Sequence, residues 1–111
     1  MNSNKNTVMN NLIPSEFYLS QNYPNPFSEK TTIKFCMAYK ARVTLQVFNC
    51  EGEMIKNLLN EEKEAGTYEI EFKSCGLSEG TYIYQLQVGD FIITKKMILL
   101  YPNRNSRINS K

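Results

Sequence analysis

Few side chains in this sequence could do chemistry. Cys36, Cys50 and Cys75 supply three thiols, Asp90 is the single aspartate, and there is no histidine. A serine or cysteine nucleophile normally needs an imidazole to take its proton, so the usual triads cannot be assembled. The cysteines show neither the close spacing of a zinc site nor a CxxC redox pair. They read as small, partly buried thiols, and one disulfide with a leftover thiol is the alternative. Glu61, Glu62 and Glu64 cluster around Lys63. A solvated acidic loop is the simpler reading of them; weak calcium binding is the alternative, without the Asx-rich ladder such loops carry. Neither a GxxxxGK[ST] loop nor a GxGxxG turn occurs. The expectation is a chain that is not an enzyme and has no cofactor and no metal site.

Three other stretches stand out for residue type rather than reactivity. Gln21–Phe27 reads QNYPNPF, in which two prolines fix φ and restrain the residues before them, giving a stiff lead-in whose Tyr23 and Phe27 could anchor on a core. Gly-Thr-Tyr occurs at Gly66-Thr67-Tyr68 and again at Gly80-Thr81-Tyr82. There the glycine permits a left-handed turn and the tyrosine opens the inward face of a strand. For Tyr82 a tyrosine-corner contact to nearby backbone is a further option, with core packing the simpler role. Phe91–Leu100 reads FIITKKMILL, with Lys95-Lys96 inside an otherwise apolar run. On physics alone the two lysines protect an edge strand from aggregation.

The elements that must carry these stretches are short strands. Thr31–Met37 and Arg42–Phe48 alternate apolar and polar, as do Thr67–Phe72 and Tyr82–Val88. Asn49-Cys50-Glu51-Gly52 reads as a tight turn into Glu53–Leu59, where Ile55, Leu58 and Leu59 break the alternation and predict a bulge. Asn60–Gly66 reads as a charged loop and Gly89-Asp90 as a hairpin turn into the last strand, Phe91–Leu100. The pattern predicts an all-β, immunoglobulin-like antiparallel β-sandwich of six to seven strands. Its boundaries divide the chain into an Asn-rich disordered linker over residues 1–14, the sandwich over 15–101 and a basic disordered tail over 102–111.

The 111 residues leave room for one domain. The net charge of +2 comes from the ends: between Leu12 and Asn103 nine basic residues face eleven acidic ones, so no basic face for nucleic acid is implied. No run approaches the roughly 18 apolar residues of a membrane helix, so no direct membrane insertion is expected. The opening MNSNKNTVMNNLIP lacks the apolar stretch of a signal peptide. An extracytoplasmic role would therefore make this the end of a longer exported protein, or a detached copy of such an end.

Taken in order, QNYPNPFSEKTTIKF, VTLQVFNCEGEMIKNLL, EAGTYEIEF and LSEGTYIYQLQVGDFIITKKMILL resemble the C-terminal sorting domain of proteins exported by the type IX secretion system (the type A sorting domain of the Bacteroidota and their relatives). They also resemble the immunoglobulin-like domain of the flagellar hook-cap scaffold. The resemblance covers about residues 17–100. It implies a folded, non-catalytic targeting domain, recognised by the type IX translocon and trimmed by a surface sortase, that sends an attached cargo through the periplasm to the cell surface. The family's three motif regions fall on Pro24, Asn25 and Pro26, on Gly80 with Tyr82, and on Lys95, Lys96, Met97, Ile98, Leu99 and Leu100. The sequence departs from the family in carrying Asn49 where the hairpin usually has aspartate, in Cys50 and Cys75, and in the eleven residues after Leu100. An extracellular adhesion or carbohydrate-binding sandwich and a structural scaffold module are the alternatives.

Overall fold

Alternation with period two is the main architect of this protein, because each strand must turn one row of side chains away from water. The structure, a computed structural model, describes residues 16–102. The Asn-rich segment 1–14 and the tail from residue 103 lie outside the described residues. Seven strands follow in chain order: β1 (Tyr18–Leu19), β2 (Lys30–Met37), β3 (Ala41–Phe48), β4 (Met54–Lys63), β5 (Gly66–Lys73), β6 (Gly80–Val88) and β7 (Phe91–Leu99). They form a three-stranded sheet in the order β1-β2-β5 and a four-stranded sheet in the order β4-β3-β6-β7. All neighbours within the two sheets are antiparallel.

One core lies between the sheets. Leu19, Ile33, Phe35, Met37 and Phe72 come from the smaller sheet, and Val43, Leu45, Val47, Tyr82, Tyr84, Leu86, Val88, Met97 and Leu99 from the larger. Fully burying one such aliphatic or Phe side chain contributes about 1.5–3 kcal/mol, so this interior dominates the favourable side of folding. Phe27, ahead of β2, joins the core and meets Phe72 edge to face at 6.0 Å.

The sandwich reading holds, with local differences. The seventh strand, β1, is only two residues long, too short for an alternation to announce it. Residues 60–63, read as the start of a loop, extend β4, because Ala41 to Thr44 continue to pair with Lys63 to Asn60. The expected bulge is present: the β3–β4 register shifts between Leu45 and Gln46 and again between Val47 and Phe48. The Asn49 turn also forms. Its side-chain oxygen accepts the N–H groups of Glu51 and Glu53, and Gly52 takes φ of 88°, where a Cβ would be strained. Cys36 is half-buried, whereas Cys50 and Cys75 are exposed, and all three are free thiols. Of the acidic cluster, Glu61 pairs with Lys63 at 3.0 Å and Glu64 with Lys40 at 3.6 Å.

Candidate functional site

The lead-in Gln21–Phe27 has no sheet neighbour of its own along most of its length, so its backbone must be held by other means. Asn22 and Thr31 do this from inside. Both are buried: the Asn22 amide donates to the Thr31 hydroxyl at 2.9 Å and to the Pro24 carbonyl at 3.2 Å, and the Thr31 hydroxyl donates to the same carbonyl at 2.8 Å. Tyr23 and Thr32 exchange two backbone hydrogen bonds at 2.9 Å. Tyr23 was expected to anchor with Phe27, but its side chain is 80% exposed; only its backbone is fixed, and Phe27 alone is the anchor. The Tyr23-Pro24 and Asn25-Pro26 peptide bonds are cis.

Thus pinned, the lead-in runs as a strap along the outer edge of β7. The Gln21 amide donates to the Lys96 carbonyl at 2.6 Å, and the Asn25 side-chain oxygen accepts the Ile98 N–H at 2.9 Å. The Phe27 N–H then donates to the Ile98 carbonyl, and the Phe27 carbonyl accepts the Leu100 N–H, each at 2.9 Å. Phe27 and Leu99 form a parallel bridge. Two side-chain amides followed by a short piece of backbone therefore complete the edge of the terminal strand from Lys96 to Leu100, where unpaired groups would invite another strand.

The Gly80 and Tyr82 motif lies on the other side of the same strand. Gly80 pairs with Leu99 and Tyr82 with Met97 in the β6–β7 ladder. The Tyr82 hydroxyl donates to the Ser78 carbonyl at 2.7 Å, four residues back, and Tyr68 makes the same contact to Glu64 at 2.7 Å. The glycines ahead of them, Gly80 and Gly66, have φ of 147° and 150°. The repeated Gly-Thr-Tyr is thus one local device used twice: glycine allows the entry bend and tyrosine ties the preceding connection down. Burial holds the Tyr82 phenol above its ordinary value, with Tyr101 and Cys50 adding to the rise.

All three motif regions therefore meet on β7, but they are not equivalent. Tyr82, Met97 and Leu99 are core residues. Pro24, Asn25, Pro26, Gly80, Lys96, Ile98 and Leu100 are exposed. The two lysines part company. Lys95 pairs with buried Tyr84 and is half-buried on the inward side, an edge-protecting position, while Lys96 pairs with Ile83 and is exposed on the outer face.

That outer face carries a feature sequence reasoning missed. Met54, Phe48, Ile83 and Lys96 lie in register across all four strands of the larger sheet, with Thr81 and Ile98 in the next row across β6 and β7. Ile98 is 38% and Leu100 48% exposed. Farther along, β3 and β6 turn polar on this face, with Thr44 beside Gln87 and Gln46 beside Gln85, which neighbours Thr94, while exposed Ile92 of β7 lies beside Gln87. The signal for this contrast was present in the alternation: Phe48 and Ile83 are apolar at positions where the pattern calls for polar ones.

The cysteines sit on separate elements. Cys36 contacts the Thr67 hydroxyl at 3.5 Å, the Cys50 thiol donates to the Thr81 carbonyl at 3.1 Å, and Cys75 lies in the β5–β6 connection. Among the described residues no group of three or more Cys, Asp or Glu could hold a metal ion.

No curated relative and no solved structure matches the chain significantly. A family model, that of the secretion system C-terminal sorting domain, matches residues 21–100. Its limits fall on the two ends of the strap contact, Gln21 and Leu100. The chain belongs to this family of sorting domains, the signals that direct an attached cargo into type IX secretion.

Proposed function

We propose that this sorting domain is recognised through the exposed face built around β7, by proteins of the type IX translocon, and that a surface sortase acts on the delivered cargo. The observation that carries the reading is the convergence of the three motif regions on one strand, through the Asn25–Ile98, Gly80–Leu99 and Tyr82–Met97 pairings. Lys96, Ile98 and Leu100 supply a cation and apolar contacts, and Pro24, Asn25 and Pro26 line the edge beside them. Tyr82, Met97 and Leu99 set the shape of that surface from beneath.

The role is non-catalytic: the domain offers shape and a row of apolar groups, and the cargo reaches the cell surface through the periplasm. Strand addition to the end of β7 is disfavoured, because Gln21, Asn25 and Phe27 already fill that edge. Recognition therefore uses the face rather than the edge. Photo-crosslinking amino acids at Leu100, Ile98 and Thr44, in a domain fused behind a signal peptide and a fluorescent cargo, test this in a type IX-competent bacterium. Adducts with outer-membrane translocon proteins at Leu100 and Ile98 but not Thr44 are expected. Adducts formed equally at Thr44, or at none of the three, would overturn the reading.

A further inference from the structure

Opposite β7, the sandwich does not close. β4 and β5 are edge strands of different sheets, and between them lies a cleft of about 350 Å3, within the size range of small-molecule sites. Its apolar lining is Ile55 and Leu58 from β4, Phe72 from β5, and Leu77. Two polar features distinguish it from a gap in packing. Ser74 lines it and is only 6% exposed, yet its hydroxyl has no hydrogen-bond partner among the described residues, unlike the two other buried polar side chains, Asn22 and Thr31. A buried hydroxyl left unpaired is costly and calls for a partner. The cleft is also lined by Lys56 and Lys73, which form no ion pair among the described residues, whereas its one carboxylate, Glu71, is paired with Lys30 at 3.6 Å.

We infer that this cleft binds a carboxylate carried on a hydrocarbon chain. The chain packs against Ile55, Leu58, Phe72 and Leu77; the carboxylate accepts from the Ser74 hydroxyl and faces the ammonium groups of Lys56 and Lys73. Apolar walls alone would suit any hydrocarbon, but the orphan hydroxyl and the two unpaired cations select an anionic head. The site is separate from the β7 face, and its test needs no secretion.

The test is an amide NMR titration of the whole chain with sodium decanoate below its self-association concentration, with decanol and acetate as comparison probes. Saturable shifts confined to the neighbourhood of Ile55, Leu58, Ser74 and Leu77 are expected. Ser74→Ala should weaken decanoate about five- to tenfold and, in the free protein, raise the thermal midpoint by relieving the unpaired hydroxyl. The double variant Lys56→Gln, Lys73→Gln should weaken decanoate about tenfold and leave decanol unchanged. Both lysines are exposed, so this variant keeps the test open if Ser74→Ala fails to fold. The inference is overturned by shifts that never saturate or that centre on Ile92, Ile98 and Leu100. Acetate competing as well as decanoate, or an unchanged affinity in the double variant, would overturn it too.

Discussion

The side-chain oxygen of Asn25 accepts the backbone N–H of Ile98 at 2.9 Å, across 73 residues of chain. An asparagine side chain here stands in for a neighbouring strand's carbonyl, and it joins the first motif region to the last. Replacing it tests the strap. Asn25→Ala should cost about 0.5–1.5 kcal/mol and speed hydrogen exchange at Ile98 and Leu100 while leaving Tyr84 protected. Asn25→Asp, which keeps an acceptor, should restore much of the protection at Ile98. Unchanged exchange in the alanine variant would remove the strap from the account.

Thr31 holds the strap from beneath. Thr31→Val keeps the shape but removes the hydroxyl that bridges Asn22 and the Pro24 carbonyl. The loss should be about 1–3 kcal/mol, because a buried amide group loses a partner. Denaturant midpoints at neutral pH read this directly, and exchange at Tyr23 should quicken with it.

Much of the fold was legible because one face of each sheet is buried, so slipping register by one residue would expose a whole row. Val43, Leu45 and Val47, and Tyr82, Tyr84, Leu86 and Val88, could be assigned inward from alternation alone. Two-residue β1 offered no period to detect. Asn60–Lys63 is polar on both sides because β4 is an edge there, so local composition imitated a loop. The candidate site was legible as three strings, not as one place. That Lys95 and Lys96 face opposite ways follows from strand alternation, but only the fold shows that Gln21 and Asn25 reach β7. Those facts depend on contacts 73 and 75 residues apart, beyond any local pattern.

The Gly80 bend supplies a third prediction. Its φ of 147° is a region that side chains avoid, and a Cβ there would meet nothing within 4 Å. Gly80→Ala should therefore cost about 1–3 kcal/mol through backbone conformation alone. Gly89, with φ of 61°, sits where asparagine is tolerated, so Gly89→Asn should be nearly neutral. Equal losses at both glycines would contradict this distinction.

Tyr84 gives a pH dependence. Burial pushes its phenol up to about 12 from 10.0, with a backbone hydrogen bond at Asn22 opposing the rise and Tyr18 adding to it. Its hydroxyl donates to the Ser20 carbonyl at 2.6 Å, tying the two sheets together. In the unfolded chain the phenol ionises near 10, so between pH 10 and about 12 the unfolded state sheds a proton that the folded state keeps. Stability should be level, as far as this group goes, below pH 10 and fall through that window. Tyr84→Phe should lower stability at neutral pH by about 1 kcal/mol and flatten the alkaline slope. Urea midpoints from pH 8 to 12 measure both, and an unaltered slope would count against the assignment.

Surface delivery measures the central claim most directly. A fluorescent cargo is placed behind a signal peptide and ahead of this chain in a type IX-competent bacterium, and fluorescence accessible to external protease is compared with that of the same fusion lacking residues 16–102. The account expects the complete fusion at the cell surface and the shortened one held in the periplasm. A complete fusion that stays periplasmic would contradict it.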